Sequence, residues 1–190
     1  MKKILILFLV LLIFGCSNNN NNKPNYPYEI QSEKVDMSAY NGVTSTNHNF
    51  RLIVPSELYK CIDNKSSGIF YLGRNNCNCC QTVCSYLNEV AQELDVTVYY
   101  IDVFNEKEPL TIKENQDQLY EYLYDILGLG EDGEKVLLTP HVFSVVNGEF
   151  YDSLICHDGM QMDAIPTSQQ IEVLKNKYRN IMKPFINKSS

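Results

Sequence analysis

Four of the chain's seven cysteines crowd into one short segment, Cys77-Asn78-Cys79-Cys80-Gln81-Thr82-Val83-Cys84. Cys77 and Cys80 stand as C-x-x-C, directly before an apolar stripe at helical period formed by Val83, Leu87, Val90, Ala91 and Leu94. Free N–H groups in the first turn of a helix stabilise a thiolate on the first cysteine. That thiolate can attack a disulfide, and a second thiol one turn on can resolve the mixed disulfide. Cys77 is therefore the candidate nucleophile and Cys80 the candidate resolving thiol. The same residues admit other readings. A structural disulfide suits an exported protein, but so small a ring adds little loop-closure stability. Cys80 and Cys84 are four apart and share a helix face, so with His141 they are candidate ligands for Cu(I) or Zn. A catalytically idle domain that supports an exporter is a third reading.

The elements around these cysteines are legible from period and punctuation. Phe50 to Val54 reads as a strand, Pro55 opens a helix over Ser56 to Asp63, and Ile69 to Leu72 reads as a strand buried on both faces. Gly73 to Asn76 breaks that strand, the cysteine-rich helix follows, and Val96 to Val103 is the next strand. A helix is expected from about Gln116 to Leu127, closing at Gly128, with Gly130 to Gly133 as a loop. Asn147-Gly148 between Val142–Val146 and Phe150–Cys156 signals a two-residue hairpin. Ile171 to Ile186 forms a last amphipathic helix that Pro184 kinks or ends. Alternating strands and helices followed by a hairpin imply an α/β fold, a mixed central sheet with helices on both faces.

Phe70-Tyr71-Leu72-Gly73-Arg74-Asn75-Asn76-Cys77-Asn78-Cys79-Cys80 resembles the active-site strand and turn of thioredoxin-like proteins, in particular the bacteriocin transport accessory branch. Thr139-Pro140-His141-Val142, ahead of a strand, resembles that family's cis-proline loop. The resemblance covers roughly 50–186. It implies a thioredoxin-like fold, with Pro140 shaping a substrate groove and Thr139 offering backbone groups beside the cysteines. It also implies that no dissociable cofactor is needed. Copper chaperones of thioredoxin fold share the C-x-x-x-C spacing, which keeps the metal alternative in view. The chain departs from thioredoxin itself at several points. It has no tryptophan, Asn76 standing before the motif; Tyr71 occupies the region of thioredoxin's buried acid; and Asn78-Cys79 is an unusual intervening dipeptide. Oxidase, reductase and isomerase directions all stay open.

The amino terminus carries a different signal. Met1-Lys2-Lys3 is a basic start, and Ile4 to Phe14 is an apolar run too short for a spanning helix of about 20 residues but suited to a signal peptide. Ile13-Phe14-Gly15-Cys16 resembles a bacterial lipobox, which implies cleavage before Cys16 and lipid on its thiol; an ordinary secretory signal cut elsewhere is the alternative. Domains are thus expected as 1–15 leader, 16–49 lipidated cysteine with an Asn-rich tether and a stretch of unassigned structure, and 50–190 thioredoxin-like domain. Glu33 to Met37 is a candidate edge strand. The expected location is the extracytoplasmic face of a cell membrane, with cysteine-containing exported polypeptides as substrates, a membrane redox partner to reset the dithiol, and the bilayer held through Cys16. Net charge is −7, and loss of Lys2 and Lys3 with the leader makes it more negative. That acidity argues against nucleic acid and against electrostatic adhesion to anionic lipid. Cys61 and Cys156 read as structural or buried, His48 as a solvated loop residue, His157 as a surface residue, and the tyrosines at 99–100 and 120–124 as packing.

Overall fold

The computed structural model describes residues 23–155 and 166–186. Leader residues 1–15, Cys16, Cys156 and His157 lie outside them.

β1 (Phe50–Ile53), α1 (Pro55–Asp63), β2 (Gly68–Gly73), α2 (Asn78–Glu93) and β3 (Val98–Asp102) come first. α3 (Lys113–Leu123), a small hairpin of β4 (Gly128–Leu129) and β5 (Lys135–Val136), β6 (His141–Val146), β7 (Glu149–Ile155) and α4 (Ser168–Met182) follow. The main sheet runs β1-β3-β2-β6-β7, with β1, β3 and β2 parallel and β6 and β7 antiparallel. α2 and α4 cover one face with Val83, Leu87, Leu174 and Tyr178; α1 and α3 cover the other with Leu58, Cys61, Leu119 and Leu123. This is the α/β, thioredoxin-like arrangement. Its central strand β2 is buried along its whole length, which is why its sequence is an apolar run without alternation.

Local chemistry sets the element ends. Pro55 occupies the first turn of α1, where its missing N–H costs no bond. Asn147 and Gly148 both take positive φ, as the two-residue hairpin between β6 and β7 requires. α4 starts at Ser168, earlier than the apolar period alone indicates, because Thr167 and Gln170 form a reciprocal capping box. It ends at Met182, and Pro184 sits in a following 3-10 turn.

The region after β3 differs from expectation. α3 begins at Lys113 and ends at Leu123, and a 3-10 turn carries the chain to Ile126. Gly128 opens β4 instead of closing a helix, and Gly130–Gly133 is the turn of the β4–β5 hairpin, with Gly133 at φ +80. Two-residue strands are too short to leave a period in sequence.

The stretch before β1 packs closely although it holds no strand of its own. Glu33 makes a single antiparallel bridge to Leu52, covering part of the β1 edge. Ile30 joins the cluster under α1 and α3, whereas Met37, Tyr40 and Val43 join the one under α2 and α4. The stretch therefore wraps around the sheet edge. Its anchor is Glu57, a buried carboxylate that accepts from the Tyr28 hydroxyl (2.6 Å), the Gln31 N–H (2.8 Å) and Lys60 Nζ (2.7 Å). Even Asn25, expected within the tether, donates its N–H to Asn147 Oδ1 at 2.9 Å. His48 is likewise bonded: Nδ1 accepts from the Phe50 N–H at 3.2 Å, and Nε2 lies 3.1 Å from the Val35 carbonyl. No helix among the described residues is long and apolar enough to cross a membrane.

Candidate active site

β2 ends at Gly73, where the chain turns through exposed Arg74, Asn75 and Asn76 into α2. Gly73 is required for space. A Cβ there would sit 2.5 Å from the Tyr71 hydroxyl, because the buried Tyr71 ring reaches under it. Cys77 is the N-cap of α2, with extended backbone, and its Sγ accepts the Cys80 N–H at 3.4 Å. The cap and the C-x-x-C spacing are one fact, since the N-cap side chain reaches the N–H three residues on. Cys77 is half-buried, while Cys79, Cys80 and Cys84 are buried.

The Thr139-Pro140 peptide bond is cis, and its loop faces the cysteines. The Cys77 thiol donates to the Thr139 carbonyl at 3.8 Å. The structure thus brings Cys77, Cys80, Thr139 and Pro140 together from β2, α2 and the lead-in to β6.

The two thiols have opposite electrostatics. Burial works against a Cys77 thiolate, but the Cys80 thiol and N–H, Thr139 and Arg74 outweigh it and hold Cys77 below the ordinary thiol range. Burial, reinforced by Cys77, pushes Cys80 up to about 12. The pair thus combines one half-buried thiol that ionises more readily with one buried thiol that resists ionisation.

The other cysteines sit deeper. Cys84 faces the core with Cys80, and burial raises it far above the ordinary range. It shares that space with Tyr71, stacked on Tyr100 at 5.4 Å, and with Tyr40, whose hydroxyl meets that of Tyr100 at 2.8 Å. Cys61 lies on the opposite face under α1, and burial pushes it up to about 12.

The set Cys80, Cys84 and His141 does not assemble. Strand alternation puts His141 on the Phe143 side of β6, with the rings 5.0 Å apart, in the layer under α1 and α3. Cys80 and Cys84 lie with Val142 on the other side, so the sheet separates imidazole from thiols. Among the described residues, no three His, Cys, Asp or Glu side chains group as a metal site. His141 is fully buried with neither ring nitrogen bonded among the described residues, and burial lowers its pKa to about 4.

Two further features are non-local and left no mark in the sequence. Gln81 Nε2 donates to the Ala39 carbonyl at 2.8 Å and to the Asn75 carbonyl, and its Oε1 accepts the Asn41 N–H at 2.8 Å. It thereby ties the wrapped amino-terminal stretch to the cysteine loop. A cleft of about 250 Å³ also opens beside Thr139, lined by Arg74, Val103, Leu110, Gln116, Leu137 and Leu138. A larger cleft of about 590 Å³ lies between the 31–33 stretch and the ends of β1 and β3, and shares no residue with the cysteine or Thr-Pro loops.

No family model and no curated protein matches the chain. Among solved structures it is similar to thioredoxin O2 from Arabidopsis thaliana in the oxidised state, at 14% identity and a TM-score of 0.40. The match covers 70% of this chain and 97% of that one.

Proposed function

We propose that the chain is a thiol–disulfide oxidoreductase, lipid-anchored at the extracytoplasmic face of a cell membrane and acting on exported polypeptides. One juxtaposition carries the exchange reading: Cys77, half-exposed at the start of α2 and held below the ordinary thiol range, faces the cis Thr139-Pro140 loop with Cys80 reserved behind it. In the reducing direction, the Cys77 thiolate attacks one sulfur of a substrate disulfide and displaces a substrate thiolate. Cys80 passes its proton to that leaving thiolate and attacks Cys77 Sγ, which closes the Cys77–Cys80 disulfide and frees the second substrate sulfur as a thiolate that takes a proton from solvent. Two electrons move from the dithiol to the substrate; the reverse sequence oxidises it. Pro140 bounds the groove where substrate lies, and the Thr139 backbone stands beside the reacting sulfur.

The location rests on Met1-Lys2-Lys3, the Ile4–Phe14 run and Gly15-Cys16. An anchor there requires a diacylglyceryl group on the Cys16 thiol, since one apolar run of that length does not span a bilayer. A membrane redox partner resets the pair in this reading.

The test is insulin-disulfide reduction, run alongside oxidative refolding of a reduced substrate. Wild type and Cys84→Ser should be active, while Cys77→Ser falls to the uncatalysed rate in both assays. Full activity in a Cys77→Ser/Cys80→Ser double variant would instead favour the idle accessory domain.

A further inference from the structure

The cleft beside Thr139 has a composition that its position alone does not require. Its apolar side comes from Val103 just after β3, Leu110, and Leu137 and Leu138 ahead of the Thr-Pro loop, and its polar side from Arg74, Gln116 and Thr139. Leu138 is exposed although it is a large apolar side chain. Arg74 alone of the lining residues carries a charge. Arg74 is exposed and has no ion-pair partner among the described residues, in a chain of net charge −7. A guanidinium with no ion-pair partner among the described residues, beside a cleft with an apolar side, complements a ligand that carries a carboxylate beside an apolar side chain. The cleft shares Thr139 with the thiol site, and the Thr139 carbonyl is the partner of the Cys77 thiol. The cleft therefore lies next to the place where a substrate sulfur would meet Cys77.

We propose that this cleft is a specificity subsite, in which Arg74 selects substrate segments with an acidic residue next to the reactive cysteine while Leu137 and Leu138 take a neighbouring apolar side chain. The inference rests on the exchange reading above and adds the substrate class to it. Arg74 has two separable effects. It favours the Cys77 thiolate, which changes the rate for every substrate equally; it also attracts a carboxylate, which changes the ratio between substrates. The ratio is the diagnostic quantity.

The probe is a set of short cysteine peptides, each as a mixed disulfide with 2-thiopyridine. The residue beside cysteine is Glu, Gln or Lys, and its neighbour is Leu or Gly. Attack by the Cys77 thiolate joins the peptide sulfur to Cys77 and releases thiopyridone, which is followed by absorbance. For the full reduced chain, the Glu peptide should react about fivefold faster than the Lys peptide at low ionic strength, the upper end for one exposed charge pair. The preference should shrink in molar salt, where the screening length is about 3 Å. Arg74→Met should slow all peptides and bring Glu and Lys to equality, while Leu138→Ser should reduce the preference for Leu over Gly. Equal rates for Glu and Lys in wild type, or faster reaction of Lys, would overturn the subsite and leave exchange at Cys77 standing. No thiopyridone release through Cys77 from any peptide would overturn the exchange reading, and the subsite with it.

Discussion

His141 is a neutral imidazole sealed in the sheet, and its removal should change how stability depends on pH. Its backbone pairs with Leu72 on β2 and Ile155 on β7, its ring lies against Phe143, and neither nitrogen has a partner among the described residues. Burial sets its folded pKa at about 4, against about 6.5 in an unfolded chain. As pH falls below about 6.5 the unfolded chain takes up a proton that the folded one refuses, so stability declines until the folded pKa is reached. At about 1.4 kcal/mol per pH unit, that gap makes His141 responsible for a loss of about 3 kcal/mol between pH 7.5 and 4. The assay is urea unfolding of wild type and His141→Leu across that range, taking the difference so that carboxylate titrations common to both cancel. The variant should be at least as stable as wild type at pH 7.5, because it removes two unsatisfied polar atoms. It should also lose about 3 kcal/mol less on acidification. Parallel pH profiles would refute the buried-neutral account, and marked destabilisation of His141→Leu at pH 7.5 would mean that the ring has a partner.

Glu57→Gln should cost about 1–3 kcal/mol by weakening the bonds that fasten Tyr28, Gln31 and Lys60. Limited proteolysis should then cut within 25–43 faster than in wild type; unchanged protection would show that the apolar contacts alone hold the wrap. Gly73→Ala should destabilise by about 1–3 kcal/mol, read by urea unfolding, because its methyl meets the Tyr71 ring at 2.5 Å and that ring is fully buried. A neutral effect would show that Tyr71 can move aside. Cys16→Ala should release the chain from membranes or leave its leader uncleaved, measured by fractionation and by intact mass; equal membrane retention of a normally processed variant would sink the anchor.

The scaffold of the site was legible because its signals are local. An apolar run without alternation marks β2, the Val83–Leu94 stripe marks α2, Asn147-Gly148 marks the last hairpin, and Thr139-Pro140 falls just before β6. What could not be read is what depends on distant partners. Met37, at the end of the candidate edge strand, and Tyr40 and Val43 beyond it are not legible as core, because their burial follows the sheet's edge and not a repeating element. His141 fits a metal set by residue type and by closeness to the cysteines, and is excluded only by which side of β6 it faces. Arg74 was visible as part of a motif, but its cleft is completed by Val103, Leu110 and Leu137, which no spacing rule links to it.

The account's central claim is the division of labour between Cys77 and Cys80, and one measurement addresses it most directly. Cys80→Ser removes the resolving thiol, so the chain should accumulate a mixed disulfide with a substrate, and mass mapping should place the link on Cys77. Cys77→Ser should trap nothing. A link found on Cys79 or Cys84, or equal trapping by the Cys77→Ser variant, would contradict the assignment.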